Sequence, residues 1–73
     1  MTGKQLREEI KYNLGFLTET NQRNFKRIYS PSDLDKDINK VVDEMPYKRL
    51  KWALQQVLTT KYKLFTILKA NYE

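Results

Sequence analysis

The sequence predicts an all-α fold, a compact bundle of about four short helices. Apolar residues recur at the i, i+3, i+4 and i+7 spacing of helices along nearly the whole chain. The chain contains neither an alternating strand pattern nor an Asn-Gly or Asp-Gly hairpin turn. Its 73 residues, without internal repeats or a Gly/Ser linker, predict one small domain over residues 1–73.

The first helix is predicted by its start signal and by one apolar stripe. Thr2 and Gln5 have the spacing of a capping box, in which each side chain accepts a hydrogen bond from the other residue's backbone N–H. Gly15 is expected in the C-terminal turn of this helix. The stripe consists of Leu6, Ile10, Leu14 and Leu17.

The second helix is expected near residues 20–29. Either Thr18 or Thr20 supplies its N-cap, because a threonine hydroxyl accepts a hydrogen bond from a free N–H of the first turn. The pair Ser30-Pro31 interrupts the helical pattern. Three residues with helical spacing are predicted to be in the core: Phe25, Ile28 and Tyr29.

Two interpretations are open for residues 30–46. In the first, Ser30 is an N-cap, Pro31 takes the first helical position, and one helix follows. In the second, a loop precedes a helix that begins near Asp37. Four apolar residues of this segment keep helical spacing: Leu34, Ile38, Val41 and Met45.

The longest helical pattern covers residues 47–72, after Pro46. Lys61 falls inside its apolar arc, which leaves two alternatives. Either the lysine stem extends outward from the edge of the core, or the helix breaks near Thr59-Thr60 and restarts in a new register. The arc spans roughly 100° at 100° per residue and contains Leu50, Ala53, Leu54, Val57, Leu64 and Leu68. The new register would be set by Tyr62, Phe65 and Leu68.

The composition argues against several kinds of chemistry. The chain has no cysteine for a zinc–thiolate site or a thiol nucleophile, and no histidine for general-base catalysis. Neighbouring carboxylates such as Glu8 and Glu9 point about 100° apart on a helix, so they do not converge on one substrate. With only two glycines, the chain lacks a glycine-rich phosphate loop. We therefore expect neither enzymatic activity nor a bound cofactor.

The sequence also predicts where the protein is located. Its first residues are charged and lack the apolar stretch of a signal peptide. No apolar run approaches the roughly 20 residues that a membrane-spanning helix needs. We therefore expect a cytoplasmic protein with no membrane partner.

Charge is distributed unevenly along the chain, whose formal net charge is +5. Residues 33–44 carry five acids and two bases, whereas residues 1–32 and residues 45–73 carry six bases each. The basic ends could bind a polyanion, since clustered lysine and arginine attract phosphates. Alternatively, they form a solvated surface on which acids and bases pair. The candidate phosphate contacts in the first basic segment are Arg23, Lys26 and Arg27.

The acidic middle segment nearly matches the spacing of a calcium-binding EF-hand loop. The carboxylates at its first, third, fifth and twelfth positions would be Asp33, Asp35, Asp37 and Glu44. The sixth position of such a loop needs a glycine for its sharp turn, and Ile38 stands there. We therefore interpret these acids as helix caps and first-turn residues, and expect no metal site.

Trp52 projects roughly 160° away from the centre of the apolar arc of the last helix. Tryptophan and arginine on one exposed face are typical of a protein-binding hot spot. Alternatively, Trp52 packs against another helix, and we favour this reading because an exposed indole is a liability in so small a protein. The same broad side of the helix carries Lys48, Arg49, Gln55, Gln56 and Lys63.

Three segments in this order resemble short uncharacterised proteins of bacteriophages. They are residues 25–30 (FKRIYS), 41–46 (VVDEMP) and 52–57 (WALQQV), within the central half of the chain. The resemblance implies no particular activity. It does imply a context, because small phage proteins without an active site often bind a host protein and block or redirect it.

These observations predict a small interaction module, encoded by a phage, that binds and inhibits or redirects a host protein in the host cytoplasm. The alternative is a small DNA- or RNA-binding regulator, and a third hypothesis is a homo-oligomer with Trp52 in its interface. The predicted partner-binding residues are Lys48, Arg49, Trp52, Gln56 and Lys63.

Overall fold

Residues 1–72, the part of the chain that the structure describes, form four helices, which confirms the all-α prediction. The computed structural model describes the backbone of residues 1–72 and the side chains of residues 1–67. Three of the helices are short and the last is 26 residues long. In chain order they are α1 (Gly3–Leu14), α2 (Glu19–Tyr29), α3 (Ile38–Asp43) and α4 (Tyr47–Tyr72).

Helix α1 begins with the predicted capping box. The Thr2 hydroxyl accepts a hydrogen bond from the Gln5 backbone N–H at 3.1 Å, and the Gln5 side chain accepts one from the Thr2 N–H at 2.9 Å. Gly15 is the C-cap and has ordinary right-handed dihedral angles. Leu17 lies beyond the helix end, yet its side chain is buried with the rest of the predicted stripe.

Helix α2 takes Thr18 as its N-cap, so the Thr20 alternative is wrong. The Thr18 hydroxyl accepts a hydrogen bond from the Asn21 N–H at 3.2 Å. Phe25 is buried and Tyr29 packs beside it, with 4.7 Å between the ring centroids. The prediction that Ile28 lies in the core is wrong, because this side chain stands about 60° from Phe25, away from Tyr29, and is exposed.

The segment between α2 and α3 is a loop, so the interpretation with a helix starting near Asp37 is confirmed. Ser30 caps the C-terminus of α2 instead of starting a helix. The Asp33 side chain accepts a hydrogen bond from the Asp35 N–H, a local turn that competes with helix formation. Leu34 is therefore in the loop and exposed, whereas Asp37 is the N-cap of α3.

Helices α1 and α4 lie side by side and run in the same direction. The hydroxyl of Tyr47, at the start of α4, donates to the carbonyl oxygen of Met1, and further along the Phe65 ring contacts the Phe16 ring. Their facing sides form most of the core, to which α2 and α3 each contribute. The buried apolar residues are Leu6, Ile10, Leu14, Leu17, Phe25, Val41, Val42, Met45, Leu50, Ala53 and Val57.

Helix α4 continues without a break through Thr59-Thr60. The helix break is therefore wrong, and the other alternative is confirmed: the side chain of Lys61 is half-buried at the edge of the core. Leu64 packs against the core as predicted, and Leu54 does the same. The predicted core position of Leu68 lies outside the described side chains.

Three acids of the middle segment cap a helix or pair with a base: Asp37, Asp43 and Glu44. Asp33 and Asp35 lie in the loop before α3, so their interpretation as helix caps or first-turn residues is wrong. Lys11 of α1 forms a 2.6 Å ion pair with Asp43 at the end of α3. Lys36 forms a second 2.6 Å ion pair with Glu44. Among the described residues, no group of three acids is placed to hold a metal ion.

Candidate interaction surface

The five predicted partner-binding residues lie on one exposed side of α4, which we call the Trp52 face: Lys48, Arg49, Trp52, Gln56 and Lys63. Trp52 stands near the middle of this face and is 71% exposed. The favoured interpretation that Trp52 packs against another helix is therefore wrong. The core is formed by the opposite side of α4, where Leu50 and Ala53 are fully buried.

A hydrogen bond joins one edge of the Trp52 face to α2. The Tyr29 hydroxyl donates a short hydrogen bond to the Gln56 side-chain oxygen. Partial burial raises the pKa of Tyr29, and the positive charge of Arg49 acts against this rise. Tyr29 and Arg49 line the same cleft, at the end of α2 and the start of α4. Tyr29 thus restricts Gln56 and neighbours Arg49, which reduces the ordering that these side chains need on binding.

Arg49 also borders a cleft of about 230 Å³ between α4 and the loop after α2. The carboxylate of Glu44 lines this cleft but is paired with Lys36. The hydrogen bond between them raises the pKa of Lys36 above its ordinary value of 10.5. Glu44 is thus paired with Lys36, and among the described residues Arg49 forms no ion pair.

The predicted phosphate contacts on α2 lie away from the Trp52 face and have acidic residues near them. Arg23 and Arg27 are exposed, and the half-buried Lys26 donates to the Leu34 carbonyl oxygen at 3.3 Å. The two shallow grooves that these bases line also contain Glu19, and one contains an aspartate of the loop. None of the described side chains of α4, which extend to residue 67, lines either groove. The three bases on α2 therefore have acids beside them, which weakens their attraction for phosphate.

Sequence reasoning missed an apolar groove beside the Trp52 face. Leu58 is 43% exposed and Tyr62 is 76% exposed, four residues apart on α4. With Phe65 they keep i, i+4, i+7 spacing, which is the signal that could have shown the groove. One of the two alternatives from the sequence instead assigned Tyr62 and Phe65 to a helix that restarts after a break. On a continuous helix, the same spacing produces a second apolar stripe.

A third feature is an aromatic cluster around the Lys61 ammonium group. The ring centroids of Phe16, Phe65 and Tyr12 lie 4.3, 5.7 and 5.9 Å from the lysine nitrogen. The same nitrogen donates a 2.9 Å hydrogen bond to the side-chain oxygen of Asn13, which is only 4% exposed. The ammonium therefore satisfies a buried polar group and joins α1 to α4.

None of the helices described in residues 1–72 has the length and apolar character that crossing a membrane requires. No protein-family model, curated protein or solved structure matches the chain. Any functional interpretation therefore depends on the surface itself.

Proposed function

We propose that this protein is a non-enzymatic interaction module that binds a partner protein through the Trp52 face. It acts by covering a surface of that partner, since the chain offers neither histidine nor cysteine for catalysis. The resemblance to small phage proteins supports a host protein as the partner. The observation that carries the proposal is the 71% exposure of Trp52 among basic side chains.

The exposed indole supports binding on energetic grounds. Burying a tryptophan removes about 150–250 Å² of surface from water, more than almost any other side chain. Trp52 makes no use of that area in the isolated chain, where it stays in solvent. Tryptophan and arginine dominate measured binding hot spots, and Arg49 lies on the same face. A partner that covers both residues would gain most of its affinity there.

The charge of α4 supports an acidic partner. The sequence contains no aspartate or glutamate between Pro46 and Tyr72. Lys48, Arg49 and Lys63 therefore attract an acidic surface without competition from acids of their own helix. Such complementarity mainly raises the association rate and excludes basic partners.

A nucleic-acid regulator is the second candidate. The absence of acids between Pro46 and Tyr72 also favours phosphate binding, and Trp52 could stack on an unpaired base. In this case Arg23, Lys26 and Arg27 would be expected to add contacts. Acidic residues beside those three bases favour the protein-binding proposal instead.

Affinity capture from a bacterial lysate, with and without nuclease, tests the proposal. The bait is the wild-type chain, and the test variant combines Trp52→Ala with Arg49→Ala. A matched control combines Leu34→Ala with Arg23→Ala, which also removes one exposed apolar side chain and one charge. We expect a protein that the wild type and the control retain after nuclease treatment and that the test variant loses. Loss of a hot-spot tryptophan should lower the affinity at least about 30-fold, or about 2 kcal/mol.

Two other results would contradict the proposal. Capture that is equal for the wild type and the test variant would show that the Trp52 face is not the binding surface. Capture of nucleic acid alone, lost with nuclease or at moderate salt, would favour the regulator, because phosphate contacts weaken steeply with ionic strength.

A further inference from the structure

An open groove of about 740 Å³ runs along α4 beside the Trp52 face. One wall is formed by the N-terminal part of the chain, and the floor and the other wall by α4. Its lining is mostly apolar, although it lies on the surface. The lining residues are Met1, Leu6, Lys51, Leu54, Gln55, Leu58, Thr59, Tyr62 and Lys63.

The length of the groove fits a short helix. Its lining extends along α4 from Lys51 to Lys63, a rise of about 18 Å at 1.5 Å per residue. This is slightly more than three helical turns. Leu58 and Tyr62 expose apolar surface along this length, so a helix with apolar residues at i, i+4 and i+7 could contact the floor at each turn.

The positive charge of the groove favours an acidic occupant. The charged side chains that line it are Lys51 and Lys63, one toward each end of the α4 wall. Glu9 of α1 follows Leu6 by about one turn and does not line the groove. An occupant with acids near both of its ends would therefore meet an opposite charge at each end.

Two other occupants fit less well. A second copy of this chain would bring another α4 against the groove, and α4 carries five bases and no acid in residues 47–67. Like charges placed opposite each other oppose such a dimer. A nucleic-acid backbone would satisfy the two lysines but would leave the apolar floor uncovered.

We propose that this groove binds an acidic amphipathic helix of the partner protein. The inference rests on the proposed function, because the helix would belong to the partner that covers the Trp52 face. Its apolar side lies on Leu54 and Leu58, and its carboxylates pair with Lys51 and Lys63. Trp52 and Arg49 then contact parts of the partner outside this helix.

A displayed library of random 16-residue peptides tests the groove, with the wild-type chain as immobilised target. The selected peptides are synthesised with a fluorescent label and titrated by polarisation against wild type and variants. Leu58→Glu places a carboxylate on the apolar floor, and Lys51→Glu reverses one charge. Ile67→Glu is the matched control, since Ile67 is an exposed apolar residue of α4 that does not line the groove.

We expect the selected peptides to be negatively charged and to show i, i+4, i+7 apolar spacing. Leu58→Glu and Lys51→Glu should each lower their affinity at least tenfold, and Ile67→Glu should change it less than threefold. Lys51 is exposed, so its variant is informative even if Leu58→Glu unfolds the domain. Circular dichroism establishes that each variant is folded.

Several outcomes would overturn the groove proposal. One is the selection of basic or uncharged peptides, and another is a library that yields no binder. A third such outcome is that Lys51→Glu leaves the affinity of the selected peptides unchanged. A dimer in sedimentation that Leu58→Glu converts to monomer would assign the groove to a second copy. Binding to vesicles containing phosphatidylglycerol that Leu58→Glu abolishes would assign it to a lipid surface. If Leu58→Glu and Lys51→Glu retain the lysate partner and the Trp52→Ala/Arg49→Ala variant loses it, the groove proposal fails while the proposed function stands.

Discussion

The ammonium group of Lys61 in α4 donates a hydrogen bond of 2.9 Å to the side-chain oxygen of Asn13 in α1. Asn13 is the one polar residue among the buried side chains described, and its amide nitrogen donates to the Glu9 carbonyl oxygen at 2.7 Å. Both ends of the Asn13 side chain are thus satisfied. A buried amide that loses a partner costs more than an ordinary hydrogen bond contributes. The fold therefore depends on a lysine inside an otherwise apolar arc.

Replacing Lys61 by methionine should destabilise the protein although it makes the arc more apolar. The variant leaves the Asn13 oxygen without its donor and removes the cation from the Phe16 ring. We expect the free energy of unfolding to fall by about 1–3 kcal/mol. Urea unfolding followed by far-ultraviolet circular dichroism measures this loss. The control is Lys63→Met, an exposed position that should change stability by less than about 0.5 kcal/mol.

The same pair can be tested by a double-mutant cycle. Asn13→Leu alone removes the acceptor and leaves the lysine at the edge of the core. The double variant Asn13→Leu/Lys61→Met leaves neither group unsatisfied, so its loss should be smaller than the sum of the single losses. We expect a coupling energy of about 0.5–3 kcal/mol. Losses that simply add would show that the two side chains do not interact in solution.

The N-cap of α2 provides a second prediction. Thr18→Ala removes the acceptor for the Asn21 N–H and should lower stability by about 1 kcal/mol. Thr20→Ala is the matched control, because Thr20 lies inside the first turn and alanine favours a helix. That control should be neutral or slightly stabilising in the same urea experiment. Equal losses at the two positions would mean that α2 begins later than in the structure.

The sequence predicts the helices better than it predicts which sides they bury. Helical spacing and caps such as Thr2 and Asp37 are local signals, and the structure confirms them. Burial at Ile28 and Trp52 depends instead on where the other helices lie, which a helical projection does not contain. The projection placed Trp52 opposite the core side of α4 correctly, but it could not show that no helix covers it. The groove was missed for a related reason, since its other wall comes from α1.

Replacing a buried and an exposed leucine of α4 by alanine should have very different costs in stability. Leu50 is fully buried, and its replacement by alanine should cost about 2–5 kcal/mol. The net stability of a domain of this size rarely exceeds about 3–5 kcal/mol, so this variant should be largely unfolded at 37 °C. Leu58→Ala makes the same chemical change at an exposed position of the groove and should cost less than about 1 kcal/mol. Thermal unfolding of both variants measures the two losses of stability. Equal losses would contradict the prediction.

The hydroxyl of Tyr29 should make stability decrease at alkaline pH. Burial raises the pKa of this phenol above its ordinary value of 10.0. The folded protein therefore holds the phenolic proton more tightly than the unfolded chain does. The resulting stabilisation is fully present below about pH 10 and is lost as the pH rises through the pKa of the folded state. The pKa of Lys36 is also raised, by its bond to Glu44, and contributes in the same direction.

Comparing wild type with Tyr29→Phe isolates the contribution of the phenol. The variant loses the hydrogen bond to Gln56 at every pH, so it should be less stable at pH 7. Between about pH 9 and pH 11 its melting temperature should fall less than that of the wild type, because the contribution of the raised pKa of Tyr29 is gone and that of Lys36 remains. Parallel melting curves for the two proteins across this range would show that the phenol is not buried in solution. Tyr62→Phe is the control, because this phenol is 76% exposed and its loss should leave the pH dependence of the melting temperature unchanged.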